Sequence, residues 1–237
     1  MRVLRSLGLK AAAAVAVSAL ILVSSGCGVS ESATSSHVES GERWASSMQD
    51  FAKIILKENG SVMGDVQKAA VERVAKTGKV SIADYETGLS GYRQCLLDKG
   101  YKEIIFVDMG NGMKAETSHK EGTEEQEERY SADSISCFST HSGSISALYE
   151  YQVGNPSLIK DHYQAVAECL KQRGLVESSY TGKQYKKESE AAATVESNES
   201  DNWPFSYDKS DQTEANICKY ANGETETDES WPIEQLW

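Results

Sequence analysis

Tyr92-Arg93-Gln94-Cys95-Leu96-Leu97-Asp98-Lys99-Gly100 has a counterpart later in the chain, Val166-Ala167-Glu168-Cys169-Leu170-Lys171-Gln172-Arg173-Gly174. Both read C-L-x-x-[KR]-G. Each follows an apolar pattern of helical period and ends it alike. The basic residue falls in the last turn, where it suits the negative end of the helix dipole. The glycine can adopt the left-handed conformation that closes a helix. A late cysteine follows each segment, Cys137 after Cys95 and Cys218 after Cys169. Four cysteines allow three pairings. Two similar units, each with an early helix cysteine and a late partner, argue for Cys95–Cys137 and Cys169–Cys218. Each closure removes about 4 kcal/mol of unfolded-chain entropy in the simplest model. Zinc is the competing use of four cysteines, but no pair has the close C-x₂₋₄-C spacing of structural zinc sites. The expected fold class is therefore mainly α with a minor β-hairpin, in two small disulfide-braced helical modules.

The fifth cysteine, Cys27, stands apart. It ends Leu22-Val23-Ser24-Ser25-Gly26-Cys27, after the basic start Arg2, Arg5, Lys10 and a 13-residue, largely apolar core from Ala11 to Val23. That layout reads as a signal peptide over residues 1–26. The core falls short of the roughly 20 apolar residues a spanning helix needs. Large aliphatic, small, small, Cys is the bacterial lipobox, and Ser24 departs from its first, aliphatic position. Lipidation of Cys27 is the expectation; cleavage near Gly26 that leaves a free thiol is the alternative. Two acyl chains, at about 0.8 kcal/mol per buried CH₂, hold a protein stably on a membrane. The expected address is the extracytoplasmic face of the cell membrane, lipid-anchored, where disulfides persist.

Residues 1–26 contain three of the 24 basic residues and none of the 36 acidic ones. The remaining chain thus carries a charge of about −15 and repels phosphate backbones, so nucleic-acid binding is not expected. Only 39% of the chain is apolar, which argues against one generous core.

Working outward, residues 27–40 read as a Ser-rich tether, 41–155 as a first helical module with the hairpin, 156–220 as a second helical module and 221–237 as an acidic C-terminal tail. Trp44, Met48, Phe51, Ile54 and Ile55 recur at helical spacing between Glu42 and Lys57, and Met63–Thr77 repeats the pattern. Val80-Ser81-Ile82-Ala83-Asp84-Tyr85 is a helix start, with Ser81 as the cap. Glu103-Ile104-Ile105-Phe106-Val107 reads as a strand returning through Asn111-Gly112 to Met113–Thr117. Glu121–Glu128 reads as an exposed acidic loop without the register of a calcium loop. Asp133–Tyr151 reads as one helix and Ser157 as the cap of the next. Helices are also expected over Gln184–Val195 and Asp211–Tyr220, with Ala221–Trp237 mobile.

These residues resemble a group of uncharacterised actinobacterial secreted lipoproteins. That group follows its anchor with a [ST]-x-x-[DE]-[YF] helix start and a Y-x-x-C-[LM]-x-x-x-G-[YF] segment. Ser81–Tyr85 and Tyr92–Tyr101 match them. Cys137, Ile145 and Tyr149 match a later helix pattern, and Cys169–Gly174 a second C-L-x-x-x-G helix. The likeness covers about residues 42–175 and implies a disulfide-braced helical body on a membrane anchor. It carries over no catalytic residue.

Chemistry-bearing patterns are sparse. His37, His119, His141 and His162 are scattered, and a set drawn from Ser142, His162 and Asp161 lacks the G-x-S-x-G turn that would position a nucleophile. No phosphate-cradling glycine loop or H-E-x-x-H segment occurs. No catalytic residue, cofactor or metal is expected. Trp203-Pro204-Phe205 is expected to dock on the second module; Trp231-Pro232 and Leu236-Trp237 either grip a partner or stay loose. The functional expectation is a non-enzymatic lipoprotein whose partners are the membrane, through acyl chains on Cys27, and an unidentified cell-envelope protein. A solute-binding component of an importer is the alternative, and an exported hydrolase stands third.

Overall fold

The computed structural model of the chain describes residues 41–194, 203–224, 228 and 230–237. The signal segment, Cys27, the tether and His37 lie outside them. The described residues are mainly α, with eight α-helices and one two-stranded antiparallel sheet. Both bridges are formed as the spacing predicts, Cys95–Cys137 with Cα atoms 5.7 Å apart and Cys169–Cys218 with 5.6 Å. Gly41–Trp237 forms one compact unit.

Helix α1 runs Met48–Asn59, and Ser47 caps it by accepting from the Asp50 amide. It starts later than its apolar spacing suggests because the backbone before it is engaged elsewhere. Trp44 N–H donates to Leu158 O, and Lys160 N–H donates to Glu42 O. Helix α2, Asp65–Thr77, folds back on α1 and closes on Gly78 at φ 74°, the left-handed conformation. Helix α3, Ile82–Asp98, begins as its sequence predicts, with Ser81 Oγ accepting from the Asp84 amide. The Asp84 carboxylate then pairs with Arg73 and ties α2 to α3.

Strand β1 is Phe106–Gly110 and β2 is Met113–Glu116, joined through Asn111 at φ 52° and Gly112 at φ 77°. The turn is the expected one, but β1 begins three residues late. The displaced segment has other partners: Ile105 O accepts from Thr117 N–H, and Lys102 N–H and Ile105 N–H go to the C-terminal residues.

The acidic stretch is not a loop. Helix α4 runs Glu124–His141 behind a capping box in which Thr123 and Gln126 satisfy each other's amides. Glu124, Glu125 and Glu127 fall in its first turn, where negative charge is favoured. Nor is Asp133–Tyr151 one helix, since Ser142 separates α4 from α5, Gly143–Gly154. Helix α6, His162–Gln172, is capped by Asp161 rather than Ser157. Asn155 instead holds Ile159 through both side-chain atoms, and Leu158 takes φ 56°, so the chain is still turning where the helix was expected. Helix α7, Gly182–Ala192, has its own capping box, and α8 spans Gln212–Ala221.

Three apolar clusters result. The largest joins α1, α2, α3, the hairpin and α5 with Ile217 and Ala221 of α8. A second surrounds Cys169–Cys218 with Val166, Leu170, Tyr180, Tyr185 and Tyr207, and Trp203 and Phe205 pack against it as expected. The third gathers Tyr92, Leu96, Tyr101, Ile104, Tyr130 and Cys137 around Leu236.

Candidate functional site

A group of ionisable side chains lies over that third cluster, where residues 230–237 return to the hairpin. Residues 230–237 are not a loose tail. Glu234 N–H donates to Ser118 O while Lys120 N–H donates to Glu234 O, which makes a parallel bridge between His119 and Glu234. On the other side, Lys102 N–H donates to Leu236 O. In this extended segment alternate side chains face opposite ways. Glu234 and Leu236 are therefore buried, at 0% and 1% exposure, while Ile233 stays exposed at 59%. Trp237 closes the end, its Nε1–H donating to Lys120 O and its ring lying against Tyr101 and His119.

Beneath this segment two carboxyls come together. Glu116, at the end of β2, accepts from Tyr92 Oη at 2.7 Å and Tyr130 Oη at 2.5 Å. Burial pushes its pKa up, and the two phenol donors oppose that push. Glu234 Oε1 accepts from Ile105 N–H at 2.5 Å, and the carboxyl is buried beside the Thr117 hydroxyl, which favours its charged form. Burial raises Glu234 to about 8, the Ile105 amide opposes this, and the like charges of Glu116 and Glu103 add to it. Glu234 is thus held largely as the neutral acid at pH 7. His119, at the rim, bonds Glu127 at 2.9 Å and packs its ring on Tyr130. Lys99 and Tyr101 share Asp133 at 2.8 and 2.9 Å. Chemically, the arrangement sets the raised Glu234 carboxyl beside the phenol-bound Glu116 carboxyl, roofed by Trp237.

The sequence-level candidates fall elsewhere. Both nitrogens of His162 are occupied, by Asn222 O at 2.9 Å and Glu224 at 3.0 Å, and Tyr185 completes the group by donating to Glu224 at 2.6 Å. The Glu224 carboxylate raises His162, and the histidine in turn helps hold Glu224 low against the burial that would raise it. Ser142 is fully buried at the α4–α5 junction and its hydroxyl has no hydrogen-bond partner. Ser142, His162 and Asp161 are therefore not joined by hydrogen bonds: Asp161 caps α6, and His162 fastens the end of α8. His141 ends α4. Among the described residues no three His, Cys, Asp or Glu side chains gather as a metal site.

Glu116, Glu234, Tyr92 and Tyr130 escaped sequence reasoning. Tyr92, Tyr130 and Glu234 lie 24, 14 and 118 residues from Glu116, and no local pattern links them. The single available signal was the alternation Met113-Lys114-Ala115-Glu116-Thr117, which put Glu116 on the opposite strand face from the buried Met113 and Ala115. Another half-buried carboxyl, Glu150 on α5, is raised to about 8 by burial alone.

Compared with protein-family models, curated proteins and solved structures, the chain gives no match.

Proposed function

We propose that the protein is a non-enzymatic, lipid-anchored module on the extracytoplasmic face of the cell membrane, carried by acylation of Cys27 and engaged with a cell-envelope protein. The observation that supports this reading is the cysteine arithmetic. Four of five cysteines close two bridges, which leaves Cys27 outside them, directly after a basic start and a short apolar core. Bridges of this kind persist in oxidising compartments. A cysteine at the end of such a core is the place where a diacylglyceryl thioether forms, and two chains suffice for stable anchoring. The acidic body keeps the protein soluble at the surface and disfavours adhesion to anionic lipid. A solute-binding importer component would want two lobes of alternating strands and helices. The described residues instead hold one hairpin among eight helices.

The test is metabolic labelling with a clickable palmitate analogue in a bacterial host that processes lipoproteins. Wild type is expected to label and to partition with membranes, while Cys27→Ala does neither. Equal labelling of the two, or membrane-free wild type, sinks the anchor. Crosslinking on intact cells then asks whether one envelope protein is captured by wild type and lost from Cys27→Ala.

A further inference from the structure

The two bridges are not equivalent in exposure. Cys169 and Cys218 are 3% and 0% exposed inside the second cluster, and Cys137 is also at 0%. Cys95 alone reaches the surface, half-buried. It lines an open depression of about 410 Å³ together with Gly91, Gln94, Asp98, Lys99 and His141. The depression follows from how α3 and α4 pack. Cys95 meets Cys137, and one turn along Gly91 meets His141, where a Cβ on Gly91 would lie 3.1 Å from His141 Nδ1. Glycine at 91 thus lets the imidazole lie against α3, beside the bridge and in the same depression. Lys99 stands one turn beyond Cys95 on the other side, paired with Asp133.

From this geometry we infer that Cys95–Cys137 is a thiol–disulfide exchange site, open to a protein dithiol reductant through Cys95 Sγ, while Cys169–Cys218 is a closed structural bridge. Exchange needs a thiolate to reach one sulfur in line with the bond, so access selects both the bridge and the sulfur attacked. The incoming thiolate bonds to Cys95 Sγ as the Cys95–Cys137 bond breaks. The electron pair leaves on Cys137 Sγ, which takes up a proton from solvent. The reductant's second thiol, deprotonated, then attacks the mixed disulfide. Cys95 leaves as a thiolate and is protonated, and the reductant departs as a disulfide: two electrons and two protons have entered the protein. Cys137 shares its cluster with Leu236, so opening this bridge loosens the seat of the C-terminal segment.

The experiment is time-resolved reduction of the intact, folded protein by dithiothreitol without denaturant, quenched with N-ethylmaleimide and mapped by peptide mass. Cys95 and Cys137 are expected to be alkylated about tenfold or more faster than Cys169 and Cys218. Covering the depression with Gln94→Trp is expected to slow that reaction several-fold and leave the second bridge unchanged. A Cys137→Ser variant, which leaves Cys95 as a free thiol, should react with Ellman's reagent far faster than Cys95→Ser, which leaves the buried Cys137. The inference is overturned if the bridges open together, if Cys169–Cys218 opens first, or if Gln94→Trp, folded by circular dichroism, reacts at the wild-type rate. Because every arm reads the body of the protein, failure of the Cys27 anchor would leave this result untouched.

Discussion

At the scale of one residue, Glu234 carries the sharpest consequence. Its carboxyl is fully buried, and burial raises its pKa to about 8 against 4.5 for a free side chain. Ionisation is therefore harder in the folded state than in the unfolded one. This group's contribution to stability is greatest below pH 4.5, falls as pH rises toward 8, and is constant above that. Glu150 acts in the same direction. Glu234→Gln keeps an acceptor for Ile105 N–H and cannot ionise. The variant is expected to melt higher than wild type by about 5 °C at pH 8, from roughly 2 kcal/mol surviving relaxation. The gain should shrink toward zero near pH 4.5, while Glu150 leaves a residual slope in both proteins. Thermal melts from pH 4 to 9 check this; a pH-independent difference would contradict the assignment. Nothing near Glu234 in the sequence marks it. Its neighbourhood reads as a polar tail, and its burial depends on Ile105 and Thr117, more than a hundred positions away.

At the scale of an element, the break between α4 and α5 shows what local pattern misses. The apolar period runs on from Cys137 through Ile145 to Tyr149, as one helix would. The helices nonetheless part at Ser142, because Gln67 of α2 serves both ends. Its Nε2 donates to Ser139 O and Thr140 O, and its Oε1 accepts from Ser144 N–H. Gly64 N–H adds a bond to Thr140 O. A helix end leaves its last carbonyls and first amides without partners, and one buried amide side chain here supplies several. Gln67→Leu keeps comparable bulk but strands those groups in a site only 1% exposed. At 1–3 kcal/mol for each unsatisfied buried group, the expected loss is about 3 kcal/mol or more, on the order of 10 °C in melting temperature. A loss under 1 kcal/mol in urea melts would mean that water takes over the role. Elements whose ends are capped from within were legible by contrast: Ser81 opens α3 and Gly78 closes α2 as their residues indicate.

At the scale of the whole molecule, the C-terminal segment closes the third cluster and joins the hairpin, the 101–105 segment and α4. Leu236 is its apolar plug, 1% exposed, and truncating such a side chain typically costs about 2–5 kcal/mol. Leu236→Ala is expected to destabilise by that amount and to speed hydrogen exchange at the Lys102, Ile105 and Lys120 amides, all of which bond this segment. Unchanged exchange at those amides would show the segment to be dispensable. By itself the sequence determined the helical class, the hairpin turn at Asn111-Gly112 and the pairing of four cysteines. Each rests on local periodicity, on backbone conformations few residues tolerate, or on a repeated spacing. The tertiary structure alone decided that residues 230–237 are seated, that two carboxyls share their floor, that Gln67 splits a helix, and that Cys95 but not Cys169 faces solvent. These depend on contacts between residues far apart in the chain, where burial and the partners of each polar group are set by packing rather than by neighbours in sequence.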